Sequence, residues 1–303
     1  MRGRHCVVTG ASSGIGKEIA RGLAAAGAEL ALVCRNRDRG EATVAELTDL
    51  WPGADVRLFV ADLAVLADVR SVAGEIRRHW KHIDVLVNNA GTHDLRAAVS
   101  PDGFDRMIAT NHLGPFLLTQ LLLDSLRSGA SSRIVTVASE AHRSVLHLDP
   151  RSFAAPGSYG PIGSWTVYAR SKLLNVLTTQ EAARRWGRHG ITAHAYCPGL
   201  VSTALVRNIP LAPRLLAAAE HTPLVHSAAQ GAQPALRLAG EPEFADRGGA
   251  FHSWMPLLRL LPPAPLRFHP LLQRQLWERS EELVGLCRTE DSEPARVEVS
   301  PHE

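Results

Sequence analysis

The sequence predicts an α/β fold, a doubly wound parallel sheet with helices on both faces and a C-terminal lid folded across one end. Three observations carry this. Through the first two hundred residues, short β-type runs alternate with longer helical runs, the pattern of repeated βα units. Several short runs are almost wholly apolar, Val85-Leu86-Val87 and Ile134-Val135-Thr136-Val137 among them, as strands are when helices cover both faces of a sheet. A glycine-rich turn, residues 9–16, follows the first of these runs and opens the first helical one.

The elements follow in order. A strand over residues 5–9 leads into a helix over 14–26, and a strand over 29–34 into a helix over 38–50. Residues 55–60 form a third strand, with a helical pattern after it through Trp80. A strand over 83–87 precedes a helical stretch over 102–126, and a strand over 133–138 precedes a helix over 168–186. Residues 191–196 close the alternation as a strand. The last hundred residues differ: prolines cluster at 209–214 and 262–270, a helix is expected over 225–238, and another over 271–286. Residues 288–303 are polar with little to bury, so they are expected to fray. The expected organisation is one domain over 1–287, in which roughly 200–287 cover the substrate, followed by a flexible tail.

A chain of 303 residues, 45% hydrophobic and 21% charged, has enough apolar material for a large core. A formal charge of +3 with no basic block excludes the electrostatic footprint of a nucleic-acid binder. Cys6, Cys34, Cys197 and Cys287 form no close pair, and read as buried thiols in a reducing compartment. The histidines are scattered; His142 and His147, like His189 and His194, are five apart and off one helix face, so no metal site is expected. No stretch reaches the ~18 apolar residues of a membrane span. Residues 1–5 are too short and polar for a signal peptide, so a cytoplasmic protein is expected.

The turn Thr9-Gly10-Ala11-Ser12-Ser13-Gly14-Ile15-Gly16 joins strand to helix with glycines at 10, 14 and 16. Glycine permits a tight turn and close backbone approach, and the helix N-terminus behind it offers free N–H groups to a pyrophosphate. The same turn satisfies the GxSxG pattern of a hydrolase nucleophile elbow. It lies on the first strand, however, and no downstream Asp and His stand out as partners. After the second strand come Cys34, Arg35 and, two further on, Arg37. A carboxylate there would hold the ribose hydroxyl of NAD(H), whereas a guanidinium can grip a 2′-phosphate. The expected cofactor is therefore NADP(H) rather than NAD(H). Asp62, past the third strand, is placed to touch the adenine or to cap the next helix. Asn88-Asn89-Ala90-Gly91 and Ser139 end the fourth and fifth strands, where ligands of such sheets bind. Tyr168 and Lys172 are four apart on one helix face. An ammonium beside a phenol favours the phenolate, so Lys172 is expected to lower the tyrosine pKa toward neutral.

Taken together, TGASSGIG (9–16), Asp62, NNAG (88–91), Asn111, Ser139, YARSK (168–172) and PGLVST (198–203) resemble the short-chain dehydrogenase/reductase family. The order and spacing of these motifs over residues 5–203 make the match specific. Cys34-Arg35-Asn36, Ser139-Glu140-Ala141-His142 and Trp277-Glu278-Arg279-Ser280 resemble its retinol-dehydrogenase-like branch. The resemblance implies a Rossmann-type domain and a catalytic set of Asn111, Ser139, Tyr168 and Lys172. In that set Tyr168 is the general acid or base, Lys172 tunes it, Ser139 binds the reacting oxygen, and Asn111 supports the lysine. It places the cofactor along Gly10, Ser12, Ser13, Gly14, Ile15, Gly16, Arg35, Asp62, Leu63, Asn89, Ala90, Gly91, Tyr168, Lys172, Pro198, Gly199, Val201 and Thr203. It also implies pairing into a homodimer or homotetramer through the helices that bear Asn111 and Tyr168.

Ser139 and Tyr168 are separated by a long segment rich in proline and glycine, and residues 142–164 read as a flexible flap beside the substrate. Val201, Leu205, Val206, Ile209, Leu211 and the apolar run 255–261 are expected either to line a pocket for a lipophilic small molecule or to pack the core. The expected function is interconversion of a carbonyl and an alcohol. Two other uses of the fold are a biosynthetic step with no net redox change and a non-catalytic NADP-binding scaffold.

Overall fold

The computed structural model describes residues 1–129, 131–201, 225–255 and 264–286. Seven parallel strands form the central sheet: β1 (His5–Thr9), β2 (Glu29–Cys34), β3 (Val56–Val60), β4 (Val85–Asn88), β5 (Ser132–Val137), β6 (Ile191–Cys197) and β9 (Phe251–Ser253). Their spatial order is β3-β2-β1-β4-β5-β6-β9, so the chain winds outward from β1 in both directions. Two-residue strands β7 (Leu200–Val201) and β8 (Val225–His226) pair with each other beside it. The sequence pattern missed β7, β8 and β9, which are too short to show a periodicity.

Two apolar layers sandwich the sheet. On one face, α1 (Gly14–Ala25), α2 (Arg37–Leu50) and α8 (Ala228–Gly240) bury Ile19, Leu23, Leu47, Ala235 and Leu238. On the other, α3 (Leu66–His79), α5 (Gly114–Leu121) and α7 (Pro161–Trp186) bury Val69, Ile76, Leu117, Leu173 and Leu177. Helix α9 (Pro270–Leu283) lies outside this layer. Its Trp277 is packed edge-on between Phe116 of α5, at 5.0 Å, and Trp186 of α7, at 5.1 Å. Ser280 of α9 meets the buried His112 at 2.9 Å. Helix α9 thus packs against α7 and against Phe116 of α5.

The stretch expected as one helix over 102–126 is broken. Asp105 caps a single turn, α4 (Arg106–Ile108), by accepting from the amides of Met107 and Ile108. A π-turn over Ala109–Leu113 follows, then α5 and α6 (Leu123–Arg127). Pro115 has no amide hydrogen to give the carbonyl of Asn111 four residues back, so the α ladder cannot run through unbroken. Helix α7, by contrast, starts seven residues before Tyr168, at Pro161, whose fixed φ suits a first helical position.

Residues 142–164 are anchored at several points along their length. Leu148, Phe153 and Ala154 are buried in the core. The Asp105 amide donates to the Ala154 carbonyl at 3.0 Å, and the Tyr159 hydroxyl donates to the Asp105 carboxylate at 2.9 Å. Among the described residues, no helix is long and apolar enough to cross a membrane.

Candidate active site

The crevice lies beyond the carboxyl ends of β1, β4, β5 and β6. At the end of β1, the Thr9 hydroxyl accepts from the amides of Asn89 and Ala90, both at 3.0 Å, and holds the β4 loop against the first turn. The Asn89 carboxamide donates to the Thr9 carbonyl at 2.8 Å. Gly10 has φ +68°, and a Cβ at Gly16 would lie 2.3 Å from both the Gly10 oxygen and the Asn89 amide nitrogen. Only glycine lets this turn close so tightly. Helix α1 behind it has no side-chain cap at Ser13 and no acidic residue in its first turn, which leaves its amides free for an anion. This cradle fits a dinucleotide pyrophosphate.

Arg35 follows β2 with an exposed guanidinium 3.9 Å from the Asp62 carboxylate. Arg37 pairs with Glu41 one turn on, at 3.6 Å. Asp62 accepts from the Ala64 amide at 2.9 Å, so it caps the turn toward α3 as well as facing Arg35. Leu63 is buried. Asn88 turns away from the crevice and donates to the Thr119 hydroxyl inside the core at 2.9 Å.

Four residues expected to act together are brought together. Tyr168 and Lys172 lie on one face of α7, both buried, with the Lys172 ammonium 5.6 Å from the tyrosine ring centre. Lys172 donates to the Val137 carbonyl at the end of β5, at 3.1 Å. Two residues on, the Ser139 side chain shares a hydrogen bond with the Tyr168 hydroxyl. Asn111, on the π-turn and wholly buried, works as a clamp: its carbonyl oxygen accepts from the Thr92 amide at 2.7 Å. Its NH2 donates to the Thr92 carbonyl at 2.9 Å and to the Ser171 hydroxyl at 3.0 Å. Ser171 in turn donates to the Tyr168 carbonyl at 2.7 Å. Gly91 leaves room at this corner, since a Cβ there would come 3.3 Å from the Asn111 carboxamide oxygen.

The electrostatics correct one expectation. Burial pushes the Tyr168 phenol well above its ordinary value; the Cys197 thiol adds to the rise and the Ser139 hydrogen bond opposes it. The lysine does not draw it down. Burial lowers Lys172 itself to about 8, so it carries less than a full charge in mildly alkaline solution. The phenol is therefore held protonated at neutral pH and hydrogen-bonded to Ser139. Such a group can hand a proton to an oxygen placed between them.

Pro198, Gly199 and Val201 follow the end of β6. Gly199 has φ +91°, and the His226 ring closes on Pro198 with Nδ1 3.1 Å from its carbonyl. Thr203, Leu205, Val206, Ile209, Leu211 and most of the run 255–261 lie outside the described residues. The sequence reading passed over His93, which packs directly on Tyr168; it stands alone, without a spacing partner to mark it.

A sequence model of the short chain dehydrogenase family matches residues 4–148. Human retinol dehydrogenase 13 is 34% identical over 289 residues, covering 94% of this chain and 85% of that protein. The structure of an uncharacterised protein from Mycobacterium paratuberculosis superposes with a TM-score of 0.73 at 29% identity, covering 94% of each chain. A short chain dehydrogenase from Burkholderia cenocepacia, solved in complex with NADP, superposes with a TM-score of 0.66 at 27% identity, covering 83% of this chain and 96% of that one.

The burial of Lys172 has a consequence for stability. Its folded value of about 8 lies below the ordinary lysine value of 10.5, so between those limits the unfolded chain binds more protons and stability rises with pH. Below pH 8 the full cost of burying the charge is present, about 3 kcal/mol. Lys172→Met should therefore melt higher than the parent at pH 7, with the advantage shrinking toward pH 10. Thermal unfolding across that range checks this; a lower melting temperature at pH 7, or an advantage that grows with pH, would contradict it.

Proposed function

The chain belongs to the short-chain dehydrogenase family, in its retinol-dehydrogenase-like branch, and from that premise we propose that it interconverts a carbonyl and an alcohol with NADP(H), using Tyr168 as general acid and base. The observation that carries the reading is the convergence of Tyr168, Lys172, Ser139 and Asn111 from α7, the end of β5 and the π-turn onto one buried corner beside the cradle.

The bound dinucleotide supplies the hydride. Everything else falls to the chain's own side chains. Ser139 and Tyr168 hold the substrate oxygen between two hydroxyls, and in reduction Tyr168 gives up its proton as negative charge develops there. Lys172, fixed to the Val137 carbonyl beside Tyr168, would hold the nicotinamide ribose of the cofactor. Asn111 keeps α7 at a set distance from the loop after β4 through Thr92 and Ser171.

Arg35 supports the preference for NADP(H) over NAD(H). Its guanidinium is exposed at the end of β2, and no carboxylate stands at that position to hold an unphosphorylated ribose. A lipophilic substrate fits the mouth of the crevice. Trp165 and Ile162, on the first turns of α7, are 49% and 93% exposed, and the Trp165 ring is 6.0 Å from that of Tyr168. The names of the retinol dehydrogenase relatives agree with such a substrate.

Tyr168→Phe should lower turnover of carbonyl substrates by roughly 100-fold or more while leaving the NADPH dissociation constant unchanged. Near-normal turnover in that variant would remove Tyr168 from the chemistry. Arg35→Asp should weaken NADPH binding about 10-fold or more relative to NADH. Equal losses for the two cofactors, measured by fluorescence titration, would show that Arg35 does not contact the 2′-phosphate.

A further inference from the structure

His93 is 7% exposed, on the loop after β4, and its ring centre lies 4.9 Å from that of Tyr168 with the planes 30° apart. Its Nε2 is 3.1 Å from the Ser164 hydroxyl oxygen. Ser164, fully buried on the first turn of α7, spends its own proton on the Pro161 carbonyl at 2.6 Å. The serine oxygen must therefore accept, and the shared proton sits on His93 Nε2. Burial lowers the imidazole pKa and the Asp94 carboxylate opposes that shift, which leaves the ring neutral at physiological pH. The same loop fastens Asn111 through Thr92, and Asp94 pairs with Arg106 at 3.0 Å.

We propose that His93 is a positioning residue for Tyr168: locked to Ser164, its imidazole fixes the phenol ring and keeps water from the face it covers. This rests on the oxidoreductase reading of Tyr168. The groups around the phenol are Ser139 and Cys197 from the ends of β5 and β6, Lys172 on its own helix, and His93 with Asp94 from the loop after β4. Of these, His93 is the one packed against the ring, tilted at 4.9 Å, with Trp165 farther off at 6.0 Å. Desolvation is the main reason the phenol stays protonated, so a shortened side chain at 93 should admit water and lower its pKa. It should also free the ring to leave its working orientation.

The test compares the parent protein with His93→Ala and His93→Phe. The Tyr168 phenol is titrated by its ultraviolet phenolate absorbance, isolated by subtracting a Tyr168→Phe reference, and carbonyl reduction and NADPH binding are measured alongside. His93→Ala should titrate at lower pH than the parent by about one unit. Its kcat should drop about 10-fold or more, with NADPH affinity within about twofold. His93→Phe, which keeps a ring on the phenol, should recover the parent titration and most of kcat. A parent-like titration and kcat in folded His93→Ala would overturn the proposal, as would a loss confined to NADPH affinity. Should His93→Ala fail to fold, Ser164→Ala removes the lock alone: a kcat lowered about threefold or more at unchanged NADPH affinity supports the proposal, and an unchanged kcat overturns it. Absence of turnover in the parent protein would defeat the oxidoreductase reading, while the phenol titration would still decide whether His93 controls Tyr168.

Discussion

A phenol and an ammonium group buried together at the end of β5 form the constraint on which the rest of the structure depends. Neither is comfortable out of water, and each is held by geometry rather than by a mutual salt bridge. Lys172 is pinned by the Val137 carbonyl and Tyr168 by the Ser139 hydroxyl, so both are referenced to one strand. Helix α7 must then stand at a fixed height above the sheet. The Asn111 carboxamide sets that height, bridging the Thr92 backbone and Ser171 with all of its assigned hydrogen bonds inside the protein. The π-turn that presents Asn111 is the local cost of this clamp, and Pro115 keeps the helix from closing over it.

The cofactor cradle meets the same constraint from the other side. Thr9 ties the first turn to the loop after β4, and that loop continues through Gly91 and Thr92 to His93. One short stretch of backbone therefore touches the pyrophosphate turn and the Asn111 clamp, and carries the ring packed against Tyr168. Displacement of this loop would move the two halves of the site relative to each other. The winding of the sheet outward from β1 brings these strand ends to one crevice.

Much of this is written locally in the chain. Gly10 and Gly16 mark a turn whose tightness no other residue allows, and Tyr168 with Lys172 announces a shared helix face by spacing alone. What the sequence hides is what assembly creates. The direction of the Tyr168 shift depends on how completely the core excludes water, so the i,i+4 spacing pointed the wrong way. The break at Ala109–Leu113 needed Pro115 to be weighed against an otherwise strong helical pattern. Strand β9 is three residues long and recognisable only by its pairing with β6. The segment before α7 looked loose from its prolines and glycines, yet Phe153 and Tyr159 fasten it through contacts distant in sequence. Nothing in the sequence foretold that Trp277 of α9 would pack between Phe116 and Trp186.

The central claim is net hydride exchange at this corner between NADP(H) and a carbonyl–alcohol pair. Its most direct test supplies NADPH carrying deuterium in the transferable position on the nicotinamide ring to a panel of lipophilic aldehydes and ketones, with the products read by mass spectrometry. The account predicts an alcohol product with one deuterium on the carbon that bore the carbonyl, formed in step with NADPH oxidation. NADPH that binds but stays unoxidised across the panel, or a product formed with no net redox change, would contradict it.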